Sequence, residues 1–233
     1  YKTNKELKEK FTEEEIQKLT NRRNRKVRDL NYAWIDKLSE PKALLREKMT
    51  LFWANVFVCR DNDIFFTQNY HNTLRKNALG DFRLFVKEVS KQPSMLKYLN
   101  NKQNKKRKPN ENFARELMEL FTLGVGNYTE QDIKESARAF TGWNFRKNGD
   151  FFLQNNEHDF GEKTFFGKTG NFDGDDIIDI ILEQKQCARF ICDKVYRYFV
   201  NPKVDEKRLE EITNIFYKDY NICLLYTSPS PRD

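Results

Sequence analysis

NENFARELMELFTLGVGNYTEQDIKESARAFTGWNF, Asn110 to Phe145, is the stretch that decides the fold. Phe113, Leu117, Leu120 and Phe121 recur at i, i+4, i+7 and i+8, the spacing that puts apolar side chains on one face of a helix. Asn110 suits the N-cap, and Gly124 and Gly126 end the helix. Thr129 with Asp132 starts a second helix, whose Ile133, Ala137 and Phe140 face inward and which Gly142 stops before Trp143. Glu111, Arg115 and Glu119 lie four apart on the outer face, where each such pair contributes ~0.2 to 0.5 kcal/mol. Two capped helices joined by a glycine turn point to a helical fold.

The chain before this stretch carries the same signals. Thr12 followed by Glu15 forms a capping box, and Phe11 is placed to pack on Ile16 as a hydrophobic staple. Ile16, Leu19, Val27, Leu30, Trp34 and Leu38 extend the pattern, predicting one long helix or two with a break near Asn21 to Asn24. The basic run Arg22 to Lys26 reads as a solvated face. Ser39 to Pro41 is a stop and restart, with Pro41 in the first turn of the next helix. Leu45 to Val58, with Leu44, Leu51, Phe52 and Val56, is apolar around much of its circumference and predicts a central buried helix. Asp61 to Asp63 form a turn. Phe65 to Ala78 give a further helix ended by Gly80. Asp81 caps the next, closed by Pro93, and Met95 to Leu99 form a short one.

The chain after it changes period. Trp143 to Leu153 places Asn148 and Gly149 between two aromatic arms, a strong hairpin signal. His158 to Asp176, rich in Gly and Phe, predicts irregular chain with short extended pieces. Asp173 then caps a helix with Asp176 as box partner, and further helices are expected over Gln186 to Val200 and Asp205 to Tyr220. The fold class is mainly α: a multi-helix globular domain with one small β-hairpin excursion near 143–170. Residues 1–222 are expected to form a single helical domain. Cys223 to Asp233, CLLYTSPSPRD, resembles a translated sequencing adapter and is expected to be an artefactual tail, and the chain reads as a fragment of a longer protein.

Composition narrows the classes further. At 233 residues, with 38% hydrophobic and 33% charged side chains, the chain can bury a sizeable core, and 20 Phe and 10 Tyr make it an aromatic one. No run approaches the ~20 apolar residues of a membrane span. A net charge of +7 allows an anionic partner without requiring one. Lys102 to Lys108 concentrates cations in a loop, Asn100 to Pro109, that has no apolar anchor. No aromatic residue is interleaved there for stacking on bases, which argues against nucleic-acid binding. Cys59, Cys187, Cys192 and Cys223 show neither metal nor disulfide spacing. Five residues apart on a helix, Cys187 and Cys192 diverge by about 140°, and both read as buried free thiols.

Four blocks resemble the bacterial family called domain of unknown function 1800. They are Leu45 to Trp53 (LREKMTLFW), the stretch from Asn110 to Trp143, His158 to Leu182 (HDFGEKTFFGKTGNFDGDDIIDIIL) and Phe190 to Asn201 (FICDKVYRYFVN). The resemblance covers about Lys42 to Tyr220 in family order. It implies a largely helical bacterial protein, exported or periplasmic as many members look to be, and a sulfatase-like partner by family association. Many members carry histidines where this chain has Ala54 and Val56, and some at the Phe121 position. This chain departs from the pattern at all three.

The remaining candidates for chemistry are Glu116, Glu119 and His158 as catalytic groups, with Arg115, Arg138, Trp143 and Asp159 as binding groups. Glu116 and Glu119 at i, i+3 share a helix surface, where paired carboxylates can hold a cation or work as acid and base beside His158. No ExxH pair marks a diiron site. The segment Gly161 to Thr169 has five residues between its glycines where a phosphate-binding loop has four. No motif assigns a cofactor or a metal. The competing structural reading is an ion-pair network of Glu111, Arg115, Glu119 and Arg138, with His158 ordering a loop through a backbone carbonyl and Trp143 anchoring the hairpin. Two functions follow: a non-catalytic interaction module of an exported or envelope-associated protein, or a hydrolase-like or metal-dependent enzyme using the Glu/Arg/His cluster. The enzyme requires these side chains to converge on a concave pocket.

Overall fold

Helix α1 (Glu13–Ser39) starts as its sequence predicts: Thr12 caps it and Glu15 accepts the Thr12 backbone N–H at 2.8 Å. A computed structural model describes residues 10–40 and 42–227, so the predicted role of Pro41 and residues 228–233 of the tail lie outside the described residues. α1 runs through Asn21 to Asn24 without a break, because nothing there removes a helical hydrogen bond. It buries no residue fully. Its half-buried stripe includes Trp34, whose ring meets His71 edge-on at 4.2 Å between centroids.

α2 (Leu44–Val56) buries Met49, Phe52, Trp53 and Val56, the expected central helix. Leu44 stays 52% exposed, since the helix begins there and its first turn projects past the core. α3 (Ile64–Asn77) is capped by Asp63, which accepts from Phe65 and Phe66. Its far end is closed by α2: Arg46 donates to the Arg75 carbonyl at 3.1 Å, Trp53 Nε1 to the Ala78 carbonyl at 3.0 Å, and Glu47 pairs with the Arg75 side chain. α4 (Phe82–Ser90) is capped by Asp81, and α5 (Pro93–Tyr98) has Pro93 in its first turn. Pro93 therefore starts a helix where the sequence had it closing one.

The segment after α5 is not the unanchored surface loop expected. Asn100 turns through the left-handed region and leads into a 3-10 turn, Asn101–Gln103, in which Asn101 is fully buried, as is Asn104 just beyond it. Asn104 Nδ2 donates to the Ala137 carbonyl at 2.8 Å, its Oδ1 accepts from Asn110 N at 2.8 Å, and its own carbonyl accepts from Gly142 N. A polar anchor holds the loop where an apolar one was looked for.

α6 (Asn112–Glu116) continues into a π-helical turn, Leu117–Thr122. Leu123 N reaches back five residues to Met118 O at 2.8 Å, and the Thr122 hydroxyl bonds Leu117 O at 2.6 Å. The wider turn changes the phase of the helix face. Phe113, Leu117 and Phe121 are buried as expected, but Leu120 points outward, 47% exposed. α7 (Glu130–Ala139) has the predicted Thr129 and Asp132 capping box.

The hairpin prediction holds, and a second hairpin accompanies it. β1 (Trp143–Phe145) pairs antiparallel with β2 (Phe151–Leu153) around Gly149 at φ 90°. β3 (Lys163–Phe165) pairs with β4 (Lys168–Gly170) through Phe166 and Gly167, both at positive φ, the signature of a two-residue hairpin turn. So two small sheets stand where one was expected, on a mainly α fold. α8 (Gly174–Leu182), α9 (Lys185–Phe199) and α10 (Glu206–Asp219) follow, with Asp173 and Asp205 as N-caps, and a short α11 (Leu224–Thr227). Buried apolar side chains from Met49 to Ile222 form one connected cluster. Within it, Phe140 meets both Phe113 and Trp143 edge-on, at 4.9 and 5.0 Å between centroids.

Asn104→Ala strips partners from the Ala137 carbonyl and the Asn110 N–H. Denaturant titration should show a loss of about 2 to 4 kcal/mol, one to two buried polar groups left unpaired. The neighbouring exposed Lys106→Ala should stay within about 0.5 kcal/mol.

Candidate functional site

A dense polar cluster is built on one stripe of α7. Asp132, Glu135 and Arg138 follow one another at i, i+3, so they share a face, and that face meets the β3–β4 hairpin and the preceding loop. Asp132 Oδ1 accepts from Phe166 N at 3.0 Å and Glu135 Oε2 from Thr164 N at 3.1 Å. Arg138 donates to Glu135 at 2.8 Å and, through Nε, to Asp159 at 2.8 Å. Burial would raise the Asp159 carboxyl, but the hydrogen bonds from Arg138 and Gly161 and the charges of Arg138 and Lys163 outweigh it and hold it below its ordinary value. Lys163 is buried, with its ammonium donating to the carbonyls of Asp159 and Gly161 at 2.7 and 2.9 Å. Burial is also the main reason that its pKa falls below that of a free lysine.

The C-terminal end of α7 completes the cluster. His158 is buried, and its Nδ1 donates to the Thr141 carbonyl at 2.7 Å. The Thr141 hydroxyl accepts from Asp159 N at 2.8 Å. Gly142, at φ 76°, is required because a Cβ there would sit 2.8 Å from the Gln154 carbonyl oxygen. Trp143 is 3% exposed and packed by Phe140 and Phe151, so its ring is closed to a sugar.

The other candidates form a separate group. Arg115 binds both oxygens of Glu130 at 3.0 Å and reaches Glu111 at 3.2 Å. Glu119 accepts from the Tyr128 hydroxyl at 2.9 Å instead of joining the expected ladder with Arg115. Glu116 is half-buried, and among the described residues no hydrogen bond or ion pair holds its carboxylate. Burial first, then the neighbouring Glu119, raises its pKa, with Arg115 opposing. The structure thus brings His158, Asp159 and Arg138 together, and Arg115 with Glu116 and Glu119, but among the described residues no hydrogen bond or ion pair joins the two groups. Among the described residues no set of three or more His, Cys, Asp or Glu could hold a metal.

A cavity of about 380 Å³ lies elsewhere, between α1, the loop from α2 to α3 and the end of α5, and none of these seven candidates lines it. Sequence reading passed over Glu135, Lys163, Asn101 and Asn104. Glu135 and Lys163 were readable only once the hairpin's position was known. The two asparagines, i and i+3 in an otherwise charged run, were a signal that hydropathy cannot weigh.

These features define a mainly α-helical protein in which polar side chains fasten two irregular segments to the end of one helix. The sequence matches, over residues 2–227, the family described as Protein of unknown function (DUF1800), and the chain belongs to it. No curated protein and no solved structure matches. No helix among the described residues is long and apolar enough to cross a membrane.

Because Asp159 has a lowered pKa, its contribution is complete above the unfolded value of 3.8 and is lost as pH falls through that value towards the folded one. Asp159→Asn should flatten the acid limb of the stability profile as pH falls below 3.8. Arg138→Met leaves two carboxylates without their cation and should cost about 2 to 3 kcal/mol at pH 7, below the ~3 to 5 of a fully buried pair because Arg138 is partly solvated. Urea titration at several pH values reads both.

Proposed function

We propose that this chain is a non-catalytic helical interaction module of an exported or envelope-associated protein, with a sulfatase-like protein as its partner. The observation that carries the proposal is the occupation of the family's charged side chains. Arg115, Arg138, Asp159 and Lys163 each spend hydrogen bonds on other parts of the same chain, and His158 commits its Nδ1 to the Thr141 carbonyl. Groups held this way fix loops and shape a surface, whereas catalytic groups need a free face towards a substrate. Export and the partner are what membership of the family implies.

A second reading has one observation in its favour. Glu116 is half-buried, has a raised pKa and makes no hydrogen bond or ion pair among the described residues, which suits a carboxyl acting as a general acid. Both readings meet one experiment: size-exclusion chromatography with light scattering of the chain mixed with the sulfatase-like protein, for wild type and Glu116→Gln, alongside an ester-hydrolysis assay with and without divalent metal. The module predicts a stoichiometric complex that Glu116→Gln leaves intact and no turnover by either protein. Turnover by the chain alone that Glu116→Gln lowers by 100-fold or more would replace the module with the enzyme.

A further inference from the structure

The cavity between α1, the α2–α3 loop and the end of α5 is lined by Arg23, Arg60, Asp61, Asp63, Lys97 and Tyr98, with Asn62 beside them. Its carboxylates are spent on the protein. Asp61, whose side chain is 3% exposed, accepts from Lys97 Nζ at 2.5 Å and Asp63 N at 3.0 Å through Oδ1, and from the Ser94 hydroxyl at 3.1 Å through Oδ2. Asp63 accepts the Phe65 and Phe66 amides as the cap of α3. Lys97 is neutralised by Asp61. Arg23 and Arg60 differ: they are exposed, and among the described residues no hydrogen bond or ion pair holds either guanidinium. The charge left facing the cavity is therefore cationic and comes from two planar forks, on separate elements, each able to grip two oxygens at once.

We infer that this cavity binds a small organic anion through a carboxylate or phosphate group held between Arg23 and Arg60. At about 380 Å³ it takes a ligand the size of a monosaccharide or a dipeptide. The Tyr98 ring, 44% exposed, offers a flat apolar face for the rest of the molecule. Asp61 is a positioning residue, since it fixes Lys97 and the turn that carries Arg60. The site does not depend on the module reading, because neither Glu116 nor the α7 clasp contributes to it.

Isothermal titration with inorganic phosphate, glucuronate and neutral glucose tests the assignment and separates its two anion sources. One or both anions should bind saturably at a 1:1 ratio and glucose should not. Arg60→Gln and Arg23→Gln should each weaken binding at least tenfold, while Arg107→Gln, an equal charge change outside the cavity, should leave it unchanged. In the wild-type protein the same anion should shift the guanidinium Nε–H resonances of Arg23 and Arg60, a readout that survives poor folding of a variant. Absence of saturable binding by both anions would overturn the assignment, as would an equal loss in Arg107→Gln or resonances that stay fixed.

Discussion

An α-helix leaves its last four carbonyls without donors of its own, and at α7 the last turn runs into a buried stretch, Phe140 to Gly142, whose carbonyls also lack helical donors, so groups other than water must satisfy them. Asn104 takes the Ala137 carbonyl, Asn101 the Phe140 carbonyl at 3.3 Å, and His158 the Thr141 carbonyl, while Gln154 N bonds the carbonyl of Gly142. The donors come from the basic loop before α6 and from the segment between the two hairpins. One helix end therefore dictates where two irregular stretches lie, the first of which carries the run of cations from Lys102 to Lys108. Gly142 permits the arrangement because its left-handed backbone turns the chain where a side chain would meet Gln154 and His158.

The same solution appears at the C-terminal end of α3, where Arg46 and Trp53 of α2 take the carbonyls of Arg75 and Ala78 and Glu47 holds Arg75. Two of the sequence blocks that mark the family thus supply donor or ion-pairing side chains to the helix-end clasps, Arg46, Glu47 and Trp53 from one and His158 from another, while Asn101 and Asn104 lie outside the blocks. A motif dense in Arg, Glu, His and Gly looks like an active site when read as a string. Buried backbone makes an equal demand for such residues, since an unpaired carbonyl in a core of aromatic rings costs as much as a lost hydrogen bond. Around Arg138 the demand is doubled, because the edge amides of β3 and its turn find their acceptors in Glu135 and Asp132 on the same helix.

Much of the fold was legible because it rests on local rules. The caps at Thr12, Asp81, Thr129 and Asp173 obey short-range hydrogen-bonding patterns, and the apolar stripes of α7 and α8 follow helical period. What escaped was long-range or broke the period. The π-turn in Leu117–Thr122 sent Leu120 outward, which no count of 3.6 residues per turn anticipates. Asn101 and Asn104 look solvated in sequence because their acceptors lie more than thirty positions away. Of the candidate residues, His158 was read correctly in one of its two roles as a loop-ordering donor to a carbonyl. The partners of Glu119 and Arg138 were not foreseen, since Tyr128 and Asp159 reach them through loops whose course α7 sets.

Native-state hydrogen exchange measures the central claim most directly, because the backbone amides of Gly142, Gln154 and Asp159 each donate a hydrogen bond within the clasp. If the clasp binds both irregular segments to the core, then Gly142, Gln154 and Asp159 exchange with one common free energy of opening, close to that of Ile178 in the buried helix α8. Exchange of Gln154 and Asp159 through openings several kcal/mol smaller than that of Gly142 would contradict the account, since the hairpin segment would then move independently of the helix end that it is said to close.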